Sequence, residues 1–140
     1  MSQVYDNHLP SAFAGMKADA RYDLVESFAS EGDIPFGAIV TKGTSATQVK
    51  LGGEKALGIA LHSHAVVGNY AQFDSVSVLR QGAAWCVVKE GATITAGEAV
   101  KFDPVTGQVS NAGTELPNAT FKTGAVDCGK FGKLAIVEIL

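Results

Sequence analysis

Near the C-terminal end, Gly124-Ala125-Val126-Asp127-Cys128-Gly129-Lys130-Phe131 has the G-x-x-x-x-G-K spacing of a phosphate-binding loop. That chemistry needs Ser or Thr after the lysine to hold Mg²⁺, and a helix N-terminus to receive the phosphate. Phe131 stands where the hydroxyl is required and the residues that follow are β-like. The stretch therefore reads as a glycine-rich turn before a final strand. His62 and His64 form an H-x-H pair, which in a strand places both imidazoles on one face. Zinc asks for three or four ligands, and no Cys, Asp or Glu stands nearby at ligand spacing. The pair is expected at the surface or at a subunit contact, and no metal is expected. Cys86, within Ala84-Trp85-Cys86-Val87-Val88, behaves as a small buried apolar residue, whereas Cys128 sits in the loop before the last strand. A lone bridge is unusual without secretion and nothing nominates a base, so both thiols are expected to be reduced and unreactive. Carboxylates are thinly spread, with no local pair to set one pKa against another. No G-x-S-x-G elbow and no G-x-G-x-x-G occurs. No catalytic residue and no cofactor is nominated.

The elements that would position any site are short. From Ile34 to about Thr106, apolar runs are broken by Gly, Asp or Ser at a spacing typical of small antiparallel strands. Strands are predicted over Phe36–Thr41, Thr47–Leu51, Ala56–Leu61, Ser75–Gln81, Ala84–Lys89 and Glu98–Phe102. Asp103-Pro104-Val105-Thr106-Gly107 has the composition of a turn: Asp bonds the backbone ahead, Pro presets φ, and Gly admits a left-handed residue. A Gly/Asn/Pro-rich loop is predicted from Gln108 to Pro117, and a final strand in Leu134-Ala135-Ile136-Val137-Glu138-Ile139-Leu140. Residues 1–33 differ in texture. Tyr22, Val25 and Phe28 are spaced by three, which suits a short helix over Asp19–Ala29, yet Asp19, Asp23 and Ser27 are weak helix formers. An extended arm packed on something else fits equally well. The expected fold is all-β, a jelly-roll-like antiparallel sandwich or barrel, with an N-terminal arm (1–33) and one β domain (34–140).

Composition narrows the function classes. The chain has 140 residues and a formal net charge of -3 at pH 7; 46% of residues are hydrophobic and 18% charged. Length argues for a single core. The acidic balance argues against a nucleic-acid footprint, which needs surplus Lys and Arg. No apolar run approaches the roughly 20 residues of a membrane-spanning helix. The start, MSQVYDNHLPSAFAG, lacks the basic and apolar regions of a secretory signal.

A succession of short motifs carries the argument further. It runs through Ala12-Phe13-Ala14-Gly15-Met16-Lys17-Ala18-Asp19, Ile34-Pro35-Phe36-Gly37-Ala38-Ile39-Val40, Ala56-Leu57-Gly58-Ile59-Ala60 and Asp74-Ser75-Val76-Ser77-Val78-Leu79-Arg80-Gln81-Gly82. Gly97-Glu98-Ala99-Val100 and Asp103–Gly107 complete it. Each is a common β-turn pattern, but their order and spacing over about residues 12–110 resemble the structural cement (capsid decoration) proteins of tailed bacteriophages, particularly short-tailed ones. The resemblance implies a virion structural protein, made in the host cytoplasm, that sits on the outer face of the capsid. There it would bridge major capsid proteins and stabilise the head without cofactor or reaction. It also implies a homo-oligomer, for which symmetry favours a dimer over a trimer. Under this reading Leu9, Phe13, Met16, Tyr22, Leu24 and Phe28 form the capsid-binding element of the arm, the alternative being that they cover the protein's own barrel. Ile136 and Ile139 would serve a subunit interface or the core.

Three other classes share the expected texture. A biotinyl- or lipoyl-like carrier is suggested by Val88–Val100 but needs an exposed hairpin lysine with acidic or Met neighbours, which Lys42 beside Gly43 lacks. A trimeric nucleotide hydrolase would bind Mg²⁺ and a nucleotide, and a cupin would need further ligands near His62 and His64.

Overall fold

The computed structural model describes residues 14–18, 23–53, 55–63, 69–128 and 132–140. Among these the chain forms strands β1 (Leu24–Ser30), β2 (Ile34–Pro35), β3 (Ile39–Lys42), β4 (Gln48–Lys50), β5 (Ala56–Ala60), β6 (Asn69–Tyr70) and β7 (Ser75–Val87). β8 (Ala99–Phe102), β9 (Val109–Ser110), β10 (Thr114–Phe121), β11 (Val126–Asp127) and β12 (Lys133–Ile139) follow. The all-β class is as expected; no helix occurs among the described residues, hence none long enough to cross a membrane.

Two strand systems share β7. In the first, β1 pairs antiparallel with β7 and in parallel with β4, β4 with β3, β3 with β5, and β5 with β7. The ring closes on itself, which removes most free edges. In the second, β12 takes the C-terminal half of β7, from Gly82 to Val87, and β10, β8 and β9 follow in order. A parallel bridge between Val88 and Val109 brings β9 back to the end of β7. The two runs expected on either side of Gly82 are thus one 13-residue strand. Glycine there is not a break but a change of partner. Its φ of +120° suits only glycine, and a Cβ would lie 2.9 Å from that of Asp23.

Core packing follows from the sharing. Val78 and Ala60 point into a cluster with Val40, Val49, Val76, Ile34 and Tyr70. Their neighbours Leu79 and Ile59 point the other way, into a larger cluster with Cys86, Val100, Phe102, Leu116, Phe121 and Val137. β5 is therefore packed on both faces and runs apolar, whereas the first half of β7 keeps the Ser75-Val76-Ser77-Val78 alternation.

One expectation is corrected, and one segment open to two readings takes the second. The loop predicted from Gln108 to Pro117 contains β9 and the start of β10. Pro117 and Asn118 (φ 60°) fall in a register shift between Glu115 and Thr120, where the missing N–H is tolerated. The segment 19–29, left between helix and extended arm, is extended from Leu24 onward. Its three-residue spacing has no helical meaning, because β1 is held to β7 from Val25 to Ala29.

The Asp103–Gly107 turn forms as expected. Val105 N donates to the Asp103 carboxylate at 2.9 Å, and Gly107 N to the Asp103 carbonyl at 2.7 Å. Lys89 lies 3.0 Å from that carboxylate and, with the Val105 bond, holds its pKa below the usual range. The turn also ties the two systems together, since Ile39 N donates to the Gly107 carbonyl at 2.8 Å. Gly107 has φ +74°, and a Cβ there would meet that of Ala38 at 2.7 Å. Gly107→Ala is expected to cost about 2–4 kcal/mol, read as a lowered denaturation midpoint with unchanged slope.

Candidate interaction surface

The residues singled out for chemistry are dispersed. Cys86 belongs to the main core, Cys128 to a small cluster with Leu134, Met16 and Trp85, and no disulfide joins them. Burial pushes the Cys86 thiol far up, away from the nucleophilic thiolate. Both thiols are expected to resist a colorimetric thiol reagent in the native protein and to react after denaturation; a native thiol that reacts at the free rate would contradict the packing. The protonated Cys86 thiol's contribution to stability is whole below the free thiol's pKa of about 8.5 and is lost as pH rises beyond it. β5 ends at Ala60, so His62 lies past the strand, half-buried, with its ring 4.7 Å from that of Phe36. His8, His64 and the Gly129–Phe131 part of the glycine-rich motif lie outside the described residues. Val126 and Asp127 pair with β12. No group of three or more His, Cys, Asp or Glu that could hold a metal occurs among the described residues.

Of the expected contact residues, those that are described lie in separate places. Leu9, Phe13 and Tyr22 lie outside the described residues. Met16 lies in a short segment that runs beside β7, with Trp85 N donating to the Met16 carbonyl at 2.9 Å and Gly15 N to the Trp85 carbonyl at 2.9 Å. Ile136 is half-buried opposite Trp85, and Ile139 is buried in the main core. Leu24 and Phe28 lie on β1, on the other system.

β1 carries the most unusual surface. Leu24 is 47% and Val25 39% exposed, although both belong to a paired strand. The reason is a missing neighbour. β4 meets β1 only at Ala29 and Ser30, so no described strand lies beside Leu24–Phe28 on the side away from β7. Ala29 N points to that side, donating to the Thr47 carbonyl at 2.8 Å. Strand alternation sends the N–H and C=O of Val25 and Ser27 the same way. A row of backbone donors and acceptors is thus presented in line with β4.

Beside this edge a shallow groove of about 240 Å³ is lined by Ser27, Phe28, Ala29, Thr47, Phe73 and Ser75. Phe73 stands at its rim, 73% exposed and with a φ of 72°. A bulky residue in the left-handed region costs about 1–3 kcal/mol. The turn that imposes it is well determined: Phe73 N donates to the Ser30 carbonyl at 2.8 Å, and Ala71 N to the Asp74 carboxylate at 2.8 Å. Asp74, which opens the Val76-Ser77-Val78-Leu79-Arg80 run, thereby fixes an aromatic ring in solvent. Glu26, on the same strand, is paired with Arg80 at 2.7 Å. Val25 and Phe73 were not among the residues nominated from the sequence. A single Phe between polar residues has no pattern that marks it as exposed.

The family model described as structural cement protein (E217 gp24/Pam3 gp6) matches residues 1–140. No curated protein matches the chain. Among solved structures, a chain from the capsid of Myoviridae phage XM1 superposes with a TM-score of 0.74 at 16% identity, covering 94% of this chain and 91% of that one. The head fiber gp8.5 N base of bacteriophage phi29 matches at a TM-score of 0.45 and 12% identity, covering 85% and 95%.

Proposed function

Because the chain belongs to the phage structural cement protein family, we propose that it binds the outer surface of a phage capsid, bridges neighbouring major capsid proteins and stabilises the head. The family makes it a capsid-associated structural protein of the virion. Its action is mechanical, without catalysis. The observation that carries the reading is the edge of β1 that no described strand covers, with Leu24 and Val25 exposed on it and Phe73 at the rim of the groove beside Phe28. An exposed strand edge is a liability that natural proteins blunt with charges, prolines or a cover. Here Leu24, Val25, Phe28 and Ala29 are apolar, Ser27 is polar but uncharged, and the one charged residue, Glu26, is paired with Arg80, which suits the addition of an extended segment from another polypeptide.

In this reading residues 1–33 act as a docking arm whose last part, β1, is anchored in the ring. Leu9, Phe13 and Tyr22 extend the contact, and Met16 and Ile136 serve a contact between copies in a homo-oligomer, a dimer by symmetry. Each contact is weak, and repetition around a closed shell multiplies them through avidity. The protein is made in the host cytoplasm and joins the head from outside.

The test is co-sedimentation of the full chain with heads stripped of their small capsid components. Saturable binding is expected, weakened when residues 1–13 are removed. Removing all of 1–33 would take away β1 and open the ring, so it tests folding and not docking. Absence of binding by the full chain would overturn the reading.

A further inference from the structure

Among the described residues, the left-handed backbone conformation falls to nine glycines, to Asn118 and to Phe73. Glycine adopts that conformation freely, and Asn tolerates it because its short polar side chain bonds locally. Phe has neither property. Phe73 stands third in the Ala71-Gln72-Phe73-Asp74 turn, closed by Asp74 N donating to the Ala71 carbonyl at 3.0 Å. A type II turn demands a positive φ at that position, and Gly or Asn ordinarily supplies it. Nor does the ring contribute much to its own fold, since the residue is 73% exposed. A strained residue that its own core leaves in solvent points to a function outside the chain.

The turn is held so that the ring keeps one place. Phe73 N donates to the Ser30 carbonyl at 2.8 Å and Ser30 N to the Asp74 carbonyl at 3.0 Å, which clamps the turn to the buried end of β1. The Asp74 carboxylate accepts from Ala71 N at 2.8 Å across the mouth of the turn. Both flanks are rooted in the core. Tyr70 is fully buried, with its hydroxyl donating to the Leu61 carbonyl at 2.6 Å, and Val76 is fully buried on the other side. The groove that adjoins the ring is lined by Phe28 and Ala29 with Ser27, Thr47 and Ser75, none of them charged. A protruding ring and an uncharged hollow therefore lie side by side.

We infer that Phe73 is the anchor of the docking contact: its ring enters an apolar recess of the partner protein, and the lip of that recess fills the groove beside Phe28. The inference rests on the docking function proposed above and names the feature the partner must have. Aromatic rings dominate binding energy where they fill a pocket on the other side and the surrounding contacts exclude water. A ring fixed before contact loses little freedom on binding. Main-chain bonds along β1 accept many sequences, so the specificity falls to the side chain that needs a fitted pocket. The lip is uncharged, because a charge buried against Ser27, Thr47 and Ser75 would stay unpaired. A second copy of this chain offers the ring only the same shallow groove, which would leave much of it in water, so the recess belongs to a different protein.

The experiment measures melting and co-sedimentation with stripped heads for the full native chain and for Phe73→Gly, Phe73→Asn and Phe73→Leu. Relief of the backbone is expected to raise the melting temperature of Phe73→Gly by about 2–4 °C. Binding is expected to move the other way, about thirtyfold or more weaker in both Phe73→Gly and Phe73→Asn. Phe73→Leu, apolar and equally strained, is expected to lose less than about tenfold. A lower melting temperature in Phe73→Gly would mean that the ring serves its own fold and would overturn the inference. Loss in Phe73→Gly with native binding in Phe73→Asn would assign the effect to a loosened turn and overturn it too. Equal losses in Phe73→Leu and Phe73→Asn would overturn the apolar recess. Dimers of the free native chain that Phe73→Asn dissolves would give the ring to a second copy and overturn the choice of partner. If heads bind the native and Phe73→Asn chains alike, only the inference fails; if they do not bind the native chain, the docking reading fails and the inference with it.

Discussion

Gly58→Ala is expected to be the most damaging small substitution in the protein, and Gly58→Val to prevent stable folding. Gly58 lies in β5 opposite Val40 of β3. A Cβ there would collide with the Leu79 carbonyl oxygen and sit 3.0 Å from its carbonyl carbon and 3.0 Å from Val78 Cγ1. The obstacle is backbone, so no rotamer change relieves it. Nor can β7 retreat, since Leu79 is paired with both Val25 and Ile59. Overpacking usually costs about 1–3 kcal/mol where side chains can adjust. With a main-chain clash the cost is set at the upper end or beyond, a large share of the roughly 5–15 kcal/mol that holds a domain together. At about 2–4 °C per kcal/mol for a chain of this size class, Gly58→Ala should melt about 10 °C lower. Gly32→Ala is the control, because nothing lies within 4 Å of the added methyl. Equal melting of the two variants would mean that β5 and β7 do not approach as described.

Leu24→Lys/Val25→Lys is expected to do the opposite, sparing stability and removing function. Both side chains are exposed, so little burial is lost and the melting transition should shift by about 1 kcal/mol or less. Lysines along an edge are a natural guard against strand addition. Loss at every copy compounds through avidity, and binding to stripped heads should fall by about a hundredfold or more. Retained binding with an unchanged fold would show that the open edge of β1 is not where the shell is held. Phe73→Ser is a milder companion that tests the groove rim without touching the backbone edge.

How much of this was legible in the sequence depended on what each segment buries. β5 and β8 and the final strand announced themselves because they are apolar and bounded by glycine or turn residues, and Asp103–Gly107 declared its turn chemistry residue by residue. β1 did not, since Leu24–Ser27 are exposed and lack the alternation of a half-buried strand. β10 was hidden by Pro117 and Asn118, which signal a break unless a register shift is there to absorb them. Gly82 was misleading in the same way, because one residue of unusual φ can redirect a strand as well as end it.

β7 has a mechanical consequence. The edge proposed for docking is bonded to its first half, and the Met16–Trp85 and Ile136 surface to its second. A pull between the two surfaces would therefore travel along one unbroken length of covalent chain. Hydrogen bonds on either side would be loaded together along the strand, not peeled apart one by one, and no hinge or linker would stand between the two grips.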